Sequence, residues 1–231
     1  DFASYAPGPS PLDTEAVPVD LHAGAARHAE APPVLLLDGV WQMAEEGVES
    51  ARIAGGDWDD AIPARVPGSV HTALMEAGEL PPLPEGKNQL LHREKSFRTW
   101  WMMTTFARPA DLQGEWLRFA GVCSEMQVWL NGQYLGSHLG MFGGPDFNIA
   151  GLLQERNTLV VKLYPAREWQ DDVVFNNVYG WNYSQVPSRG IWRSVRIEDT
   201  PPVDIAHPFV ATRDAHAGEL SLVVPLRGDN R

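Results

Sequence analysis

Cysteine is almost missing from this chain. Cys123 stands alone among 231 residues, so no internal disulfide can form. The same scarcity argues against a zinc site, which needs several thiols or a His pair at ligand spacing. His22, His28, His207 and His216 stand singly and read as surface residues. No metal and no cofactor is expected. Basic residues are few as well: 18 Lys and Arg against 30 Asp and Glu give a net charge of −12. A nucleic-acid backbone or an anionic membrane needs a basic face, so neither is an expected partner. Long apolar runs are also lacking, and no stretch reaches the roughly 18 residues that span a bilayer as a helix.

What is present points to a packed β protein. Hydrophobic residues make up 44% of the chain, enough for a real core. The length suits one large β domain, or one and a half ordinary ones. Nine tryptophans is a high count and suits either a core or an exposed stacking surface.

The firmest local signal is Asn131-Gly132. Both residues tolerate the positive φ of a type I′ turn, which predicts a hairpin over 127–136. A second fixed point is Gly190, which precedes a strand running to residue 198 with Ile191, Val195 and Ile197 mostly in period two. Trp129 and Trp192 sit on these strands and are expected in the core. Further strands are read at 97–106, 115–122 and 157–164, where β-favouring residues alternate or cluster.

The remaining stretches are punctuated clearly. Residues 1–33 are rich in Ala, Pro and small polar residues and read as a flexible arm. Val34 to Met43 opens the folded part, turning at Asp38-Gly39. Residues 45–60 are acidic and carry glycine, hence a loop. Pro67-Gly68 turns the chain, and Ser69 then caps a short helix with Val70, Ala73, Leu74 and Ala77 at helical spacing. Gly78 closes that helix, and Pro81, Pro82 and Pro84 forbid its continuation. Residues 165–189 carry aromatic, amide and acidic residues without a period, and loops of this length are usually functional. Pro201-Pro202 reads as a linker, with Val203–Ala206 and Glu219–Leu226 starting a second all-β unit. About 30 residues cannot close a sandwich, so a larger domain is expected to begin there. The chain starts at Asp1, not Met, which suggests a removed leader or a longer parent protein.

The fold class is therefore all-β: a jelly-roll β-sandwich with one short helix over 34–200, and the beginning of a second β domain over 201–231.

Three motifs then resemble a known family. Val66-Pro67-Gly68-Ser69-Val70-His71-Thr72 resembles a segment near the start of β-mannosidases of glycoside hydrolase family two. Trp129-Leu130-Asn131-Gly132, with Leu135-Gly136 and Met141-Phe142, resembles that family's galactose-binding-like domain. Gly180-Trp181-Asn182-Tyr183 followed by Gly190-Ile191-Trp192-Arg193 resembles the motif that ends it. The matches run in the family's order from about Leu36 to Ile197. The resemblance implies a multidomain enzyme: this jelly-roll, an immunoglobulin-like domain begun at 201–231, and a catalytic barrel with two glutamates in a retaining mechanism. It also implies two partners, a carbohydrate with a terminal β-linked sugar and the barrel of the same full-length chain. No catalytic residue is assigned here, because Asp59-Asp60 and Asp171-Asp172 are adjacent pairs of the solvated-loop kind.

The resemblance assigns substrate binding to Trp181, Asn182 and Tyr183. In the β-mannosidase branch the motif is similar to Gly-Trp-Asp-Trp, and its last two residues reach the sugar. Here they are an amide and a phenol, which hydrogen-bond hydroxyls differently from a carboxylate. A family-two glycosidase with another sugar specificity is thus an alternative. A stand-alone carbohydrate-binding module and an interaction domain without sugar affinity are two more.

Overall fold

The computed structural model describes residues 33–141, 143–166, 186–199, 203–205, 208–224 and 226–228. The chain divides into two compact units, one of Pro33–Asp199 and one taking in Thr200–Arg231.

The first unit is a sandwich of two antiparallel sheets. Its elements run β1 (Val34–Leu36), β2 (Gly39–Glu45), α1 (Glu49–Ile53), β3 (Ile62–Val66), α2 (Val70–Glu76), α3 (Asn88–Ser96), β4 (Trp100–Ala107), β5 (Trp116–Phe119), β6 (Glu125–Leu130), β7 (Gln133–Leu139), β8 (Asp146–Asn148), β9 (Arg156–Leu163) and β10 (Val195–Glu198). The larger sheet has the order β3-β2-β4-β9-β6-β7 and the smaller β1-β10-β5-β8. Alternation along the strands explains the layering. Met126, Val128 and Leu130 of β6, Leu159, Val161 and Leu163 of β9, and Leu117, Phe119, Val195 and Ile197 of the facing sheet fill one core.

The larger sheet also buries part of its outer face. Trp101, Met103, Trp129 and Val160 form a second apolar cluster there with Ala44 and Trp58. Trp129 is in van der Waals reach of Trp101 and Tyr134, with ring centroids 5.7 and 5.5 Å apart. This explains why the first four residues of β4 are all buried instead of alternating.

The segment expected as a loop at 45–60 contains a short helix, α1. What holds it is Arg52, buried on α1. Its guanidinium makes a two-pronged pair with Asp60, at 2.9 and 3.0 Å, and lies over the Trp58 ring. That charge pair closes the loop over the outer cluster, and nothing in the local apolar pattern announces it.

The hairpin forms as the sequence predicts. Asn131 and Gly132 have φ of 52° and 80°, and Leu130 pairs with Gln133 across them. Asn131 does more than turn. Its Oδ1 accepts from Thr158 N at 2.9 Å, and its Nδ2 donates to Leu152 O and to Asn157 Oδ1. The tip is thereby clipped to β9. Ser69 caps α2 as expected, its Oγ accepting from Thr72 N at 3.1 Å. Gly78, with φ of 76°, follows the last helical turn.

Three expectations are corrected. Among its described residues the unit holds three helices where one was expected. Helix α3 was missed because its buried positions are His92 and Ser96, while Leu90 and Leu91 face outward. The strand expected from Gly190 begins only at Val195. Trp192 and Arg193 both donate their backbone N–H to Gly121 O, at 3.2 and 3.3 Å, which takes them out of the ladder. Trp192 is accordingly half-buried, not core. Its indole covers Gly121, its Nε1 donates to Met141 O at 3.3 Å, and the Arg193 guanidinium lies 4.5 Å from the ring centroid.

In the second unit β11 (Val203–Ile205) pairs with β14 (Leu226–Gly228), and β12 (Phe209–Asp214) with β13 (Glu219–Val223). The β12–β13 hairpin leaves Phe209, Val210, Leu220 and Leu222 exposed.

Trp129→Ala should lower the unfolding free energy by about 3–5 kcal/mol, as removal of a buried indole does. Urea titration checks this, and a change under 1 kcal/mol would mean the outer cluster contributes little.

Candidate functional site

Two segments far apart in sequence are locked together by backbone alone. Gly68 N donates to Ile191 O at 2.8 Å and Val70 N to Arg189 O at 2.9 Å. On the opposite side of the same strip, Gly190 and Cys123 exchange a pair of bonds at 3.0 and 2.9 Å. Gly190 is therefore enclosed by backbone on both sides. A Cβ there would lie 2.4 Å from Gly68 O, and the φ of 149° already disfavours a side chain. The 66–72 and 190–193 motifs thus form one structure.

Buried polar groups surround this strip. Arg189 is 1% exposed, and its Nη1 donates to Ser124 Oγ at 3.1 Å and to Ser188 O at 2.9 Å. Cys123 Sγ donates to Ser188 O at 3.1 Å. The cysteine acts here as a small buried donor.

A second knot ties α2, α3 and the segment that enters the strip. Ser96 Oγ donates to Pro187 O at 2.8 Å. His71 Nε2 lies 3.1 Å from that hydroxyl and 3.3 Å from the same carbonyl. A carbonyl accepts only, so Nε2 carries the proton and Nδ1 is the bare nitrogen. His71 Nδ1 is buried without a partner, as is Nδ1 of His92, whose Nε2 donates to Pro81 O at 2.8 Å. The two imidazole rings are 5.4 Å apart. Ser96 also accepts at its backbone, from Ala166 N at 2.8 Å. One residue of α3 therefore binds the chain at Ala166 and again at Pro187.

The electrostatics follow from burial. Desolvation lowers the His71 pKa from 6.5 to about 4; the hydrogen bond to Pro187 opposes this, and the charges of His92 and Arg189 add to it. His71 is thus a neutral donor at ordinary pH.

The residues assigned to substrate binding, Trp181, Asn182 and Tyr183, lie outside the described residues. The structure brings together both ends of the stretch that carries them. Sequence reading missed Ser96, His92 and Arg189. The spacing of His92 and Ser96, one helical turn apart, was the available signal, but polar residues at that spacing usually mark a solvated face. Of the four histidines read as surface residues, His216 is exposed and the other three lie outside the described residues.

Comparison with known proteins adds independent findings. A family model described as glycosyl hydrolase 2 galactose-binding domain-like matches residues 41–198. The β-mannosidase of Mus musculus is 27% identical over 210 residues, covering 77% of this chain and 22% of that protein. A β-galactosidase of Priestia megaterium is 34% identical over 94 residues, covering 40% of this chain and 8% of that one. Among solved structures, the β-D-mannosidase of Dictyoglomus thermophilum gives a TM-score of 0.66 at 24% identity, covering 79% of this chain and 24% of that one. The Amycolatopsis orientalis exo-chitosanase gives 0.69 at 19% identity, covering 86% and 24%. These two likenesses show the fold. The chain spans about a fifth of the length of the mouse and rat β-mannosidases.

Two predictions arise from this geometry. Gly190→Ala should destabilise the unit by about 3 kcal/mol, from backbone strain and forced separation of two bonded segments. A shift in the urea midpoint reads it, and an unchanged midpoint would mean the strip is not rigid. The second concerns pH. Between pH 6.5 and 4 the unfolded chain binds a proton at His71 that the folded chain does not. Stability is then full above pH 6.5 and falls as pH drops toward 4. The loss amounts to about 3 kcal/mol by the usual conversion. His71→Gln should flatten that part of the stability profile, measured by urea melts at stepped pH.

Proposed function

The chain belongs to the glycosyl hydrolase 2 galactose-binding-like family, and from that premise we propose that it is the N-terminal, non-catalytic portion of a retaining exo-acting β-glycosidase of β-mannosidase type. On this reading the parent enzyme removes terminal β-linked sugars, and a catalytic barrel elsewhere in the same full-length chain carries the two carboxylates. Residues 1–33 are an arm, 34–200 the jelly-roll, and 201–231 the start of an immunoglobulin-like domain. The jelly-roll supports the barrel and lends Trp181, Asn182 and Tyr183 to its substrate pocket.

The observation that carries this reading is the family match across 41–198. The bonds of Ser96 to Ala166 and Pro187, which flank 167–185, support it, since a recognition element needs a fixed base. The residue types suit a sugar: an indole stacks on the apolar face of a pyranose, while an amide and a phenol hydrogen-bond its hydroxyls.

The second reading keeps the family and changes the sugar. It is favoured by Asn182 and Tyr183, which replace the acid and indole of the β-mannosidase motif. The likeness to a β-galactosidase agrees with it.

The test uses the full-length enzyme on 4-nitrophenyl β-mannoside, β-galactoside and β-glucosaminide. The substrate with the highest kcat/KM identifies the sugar. Asn182→Ala and Tyr183→Phe should each lower kcat/KM on it about tenfold, the worth of roughly one hydrogen bond. Melting temperatures should stay within about 2 °C, since on this reading the two groups bond the sugar and not the fold. Unchanged kinetics in both variants would remove these residues from the pocket.

A further inference from the structure

Asn131 is followed by Gly132, and no other asparagine in the 231 residues precedes a glycine. That pairing has a chemistry of its own. The Gly132 amide nitrogen can attack Asn131 Cγ, forming an N–Cγ bond and a five-membered imide. The Cγ–Nδ2 bond breaks, and Nδ2 leaves as ammonia with the proton shed by the Gly132 nitrogen. Water then opens the ring at either carbonyl, giving aspartate or isoaspartate at 131. Glycine promotes the attack because it puts no side chain beside the nucleophile. Gly132 is open here as well: it is exposed, and a Cβ on it would meet nothing within 4 Å.

The fold works against this reaction. Attack needs the side chain to swing until Cγ lies against the Gly132 nitrogen. Instead the carboxamide is bonded to β9 and the turn before it. Asn131 and Thr158 exchange two bonds, Asn131 N to Thr158 O at 2.8 Å and Thr158 N to Asn131 Oδ1 at 2.9 Å. Asn131 Nδ2 donates to Leu152 O at 3.1 Å and to Asn157 Oδ1 at 3.0 Å, which uses both its hydrogens. Asn157 is itself fixed. It is 1% exposed, its Oδ1 accepts from Gln154 N, and its Nδ2 donates to Gln154 O, each at 2.8 Å. To react, the Asn131 amide must give up all three side-chain bonds, so the hairpin tip must first part from β9.

The product does not fit the place it came from. A carboxylate at 131 puts an oxygen where Nδ2 stood, against Leu152 O and Asn157 Oδ1. Both are acceptors, so two hydrogen bonds are lost and a charge faces two lone-pair oxygens. Isoaspartate also lengthens the backbone of a two-residue turn by one carbon.

We propose that Asn131 is a deamidation site gated by the fold: its bonds to β9 suppress the reaction in the closed hairpin, and one reaction from an opened tip releases the tip for good. The hairpin is thus a one-way switch whose only co-reactant is water. It operates whatever sugar the parent enzyme takes.

The first test compares the native 231-residue chain with the same chain unfolded in urea, in one mildly alkaline buffer. Peptide mapping by mass spectrometry follows the gain of one mass unit at residue 131. The native chain should deamidate there at least about tenfold more slowly, since the held side chain cannot reach contact distance. Asn157→Ala removes one acceptor and should raise the native rate severalfold. If that variant fails to fold, the comparison of native with unfolded chain decides the gate alone. The second test takes Asn131→Asp as the product. Hydrogen exchange at the Thr158 amide should quicken about tenfold, roughly the worth of one hydrogen bond. Amides of β10, in the other sheet, should keep their native rates, which separates release of the tip from general destabilisation. Equal deamidation rates in native and unfolded chain would overturn the gate. An unmoved Thr158 amide in Asn131→Asp would overturn the release.

Discussion

The missing side chain at Gly190 is the constraint on which the rest of this unit depends. The backbone of 68–70 closes on one side of it and the backbone of Cys123 on the other. Four hydrogen bonds cross this strip, and all need the two flanking chains at backbone-to-backbone distance. A methyl group would separate them. With the strip in place, Ile191 enters the core and Arg189 is buried beside Ser124. Trp192 then lies over Gly121, and β10 starts in register with β5 and β1. Both layers of the sandwich thus meet the motif that follows segment 167–185.

Burial of polar side chains near this strip follows a rule of charge. Arg52 is buried far from it and is matched by the carboxylate of Asp60, two-pronged and partly wet. His71 has no carboxylate beside it among the described residues and stays neutral, sharing its Nε2–H between a hydroxyl and a backbone oxygen, while His92 Nε2 donates to a backbone carbonyl. An uncompensated buried charge would cost several kcal/mol, whereas a neutral donor with an acceptor costs little. The price is one bare nitrogen on His71. An imidazole can tolerate that, because an unsatisfied acceptor is a smaller penalty than an unsatisfied cation.

Much of this architecture was legible in the sequence, and what was legible had a local cause. The Asn131-Gly132 hairpin follows from positive φ at two adjacent residues. The Ser69 cap follows from one side chain reaching three residues ahead. The strands β4, β6 and β9 follow from their composition and alternation. Illegible features had causes distant in sequence. Helix α1 depends on Asp60, and α3 turns a polar face inward because Pro81, Pro187 and His71 supply partners there. Trp192 left the core because Gly121 drew its backbone out of the ladder. At the candidate site, the motifs 66–72 and 190–193 were visible as motifs. Their contact was not, since some 120 residues separate them. Ser96 carried only its one-turn spacing from His92 as a mark, and a serine at the end of a polar helix usually faces water.

The economy of a single anchor has a thermodynamic side. Bringing the ends of a long segment together costs loop-closure entropy, and the cost rises only slowly with length. Ser96 offsets part of that cost during folding, since its carbonyl and its hydroxyl bond to Ala166 and Pro187, the described residues on either side of 167–185. Two bonds to one residue of α3 thus fix the separation of the points between which that stretch must run.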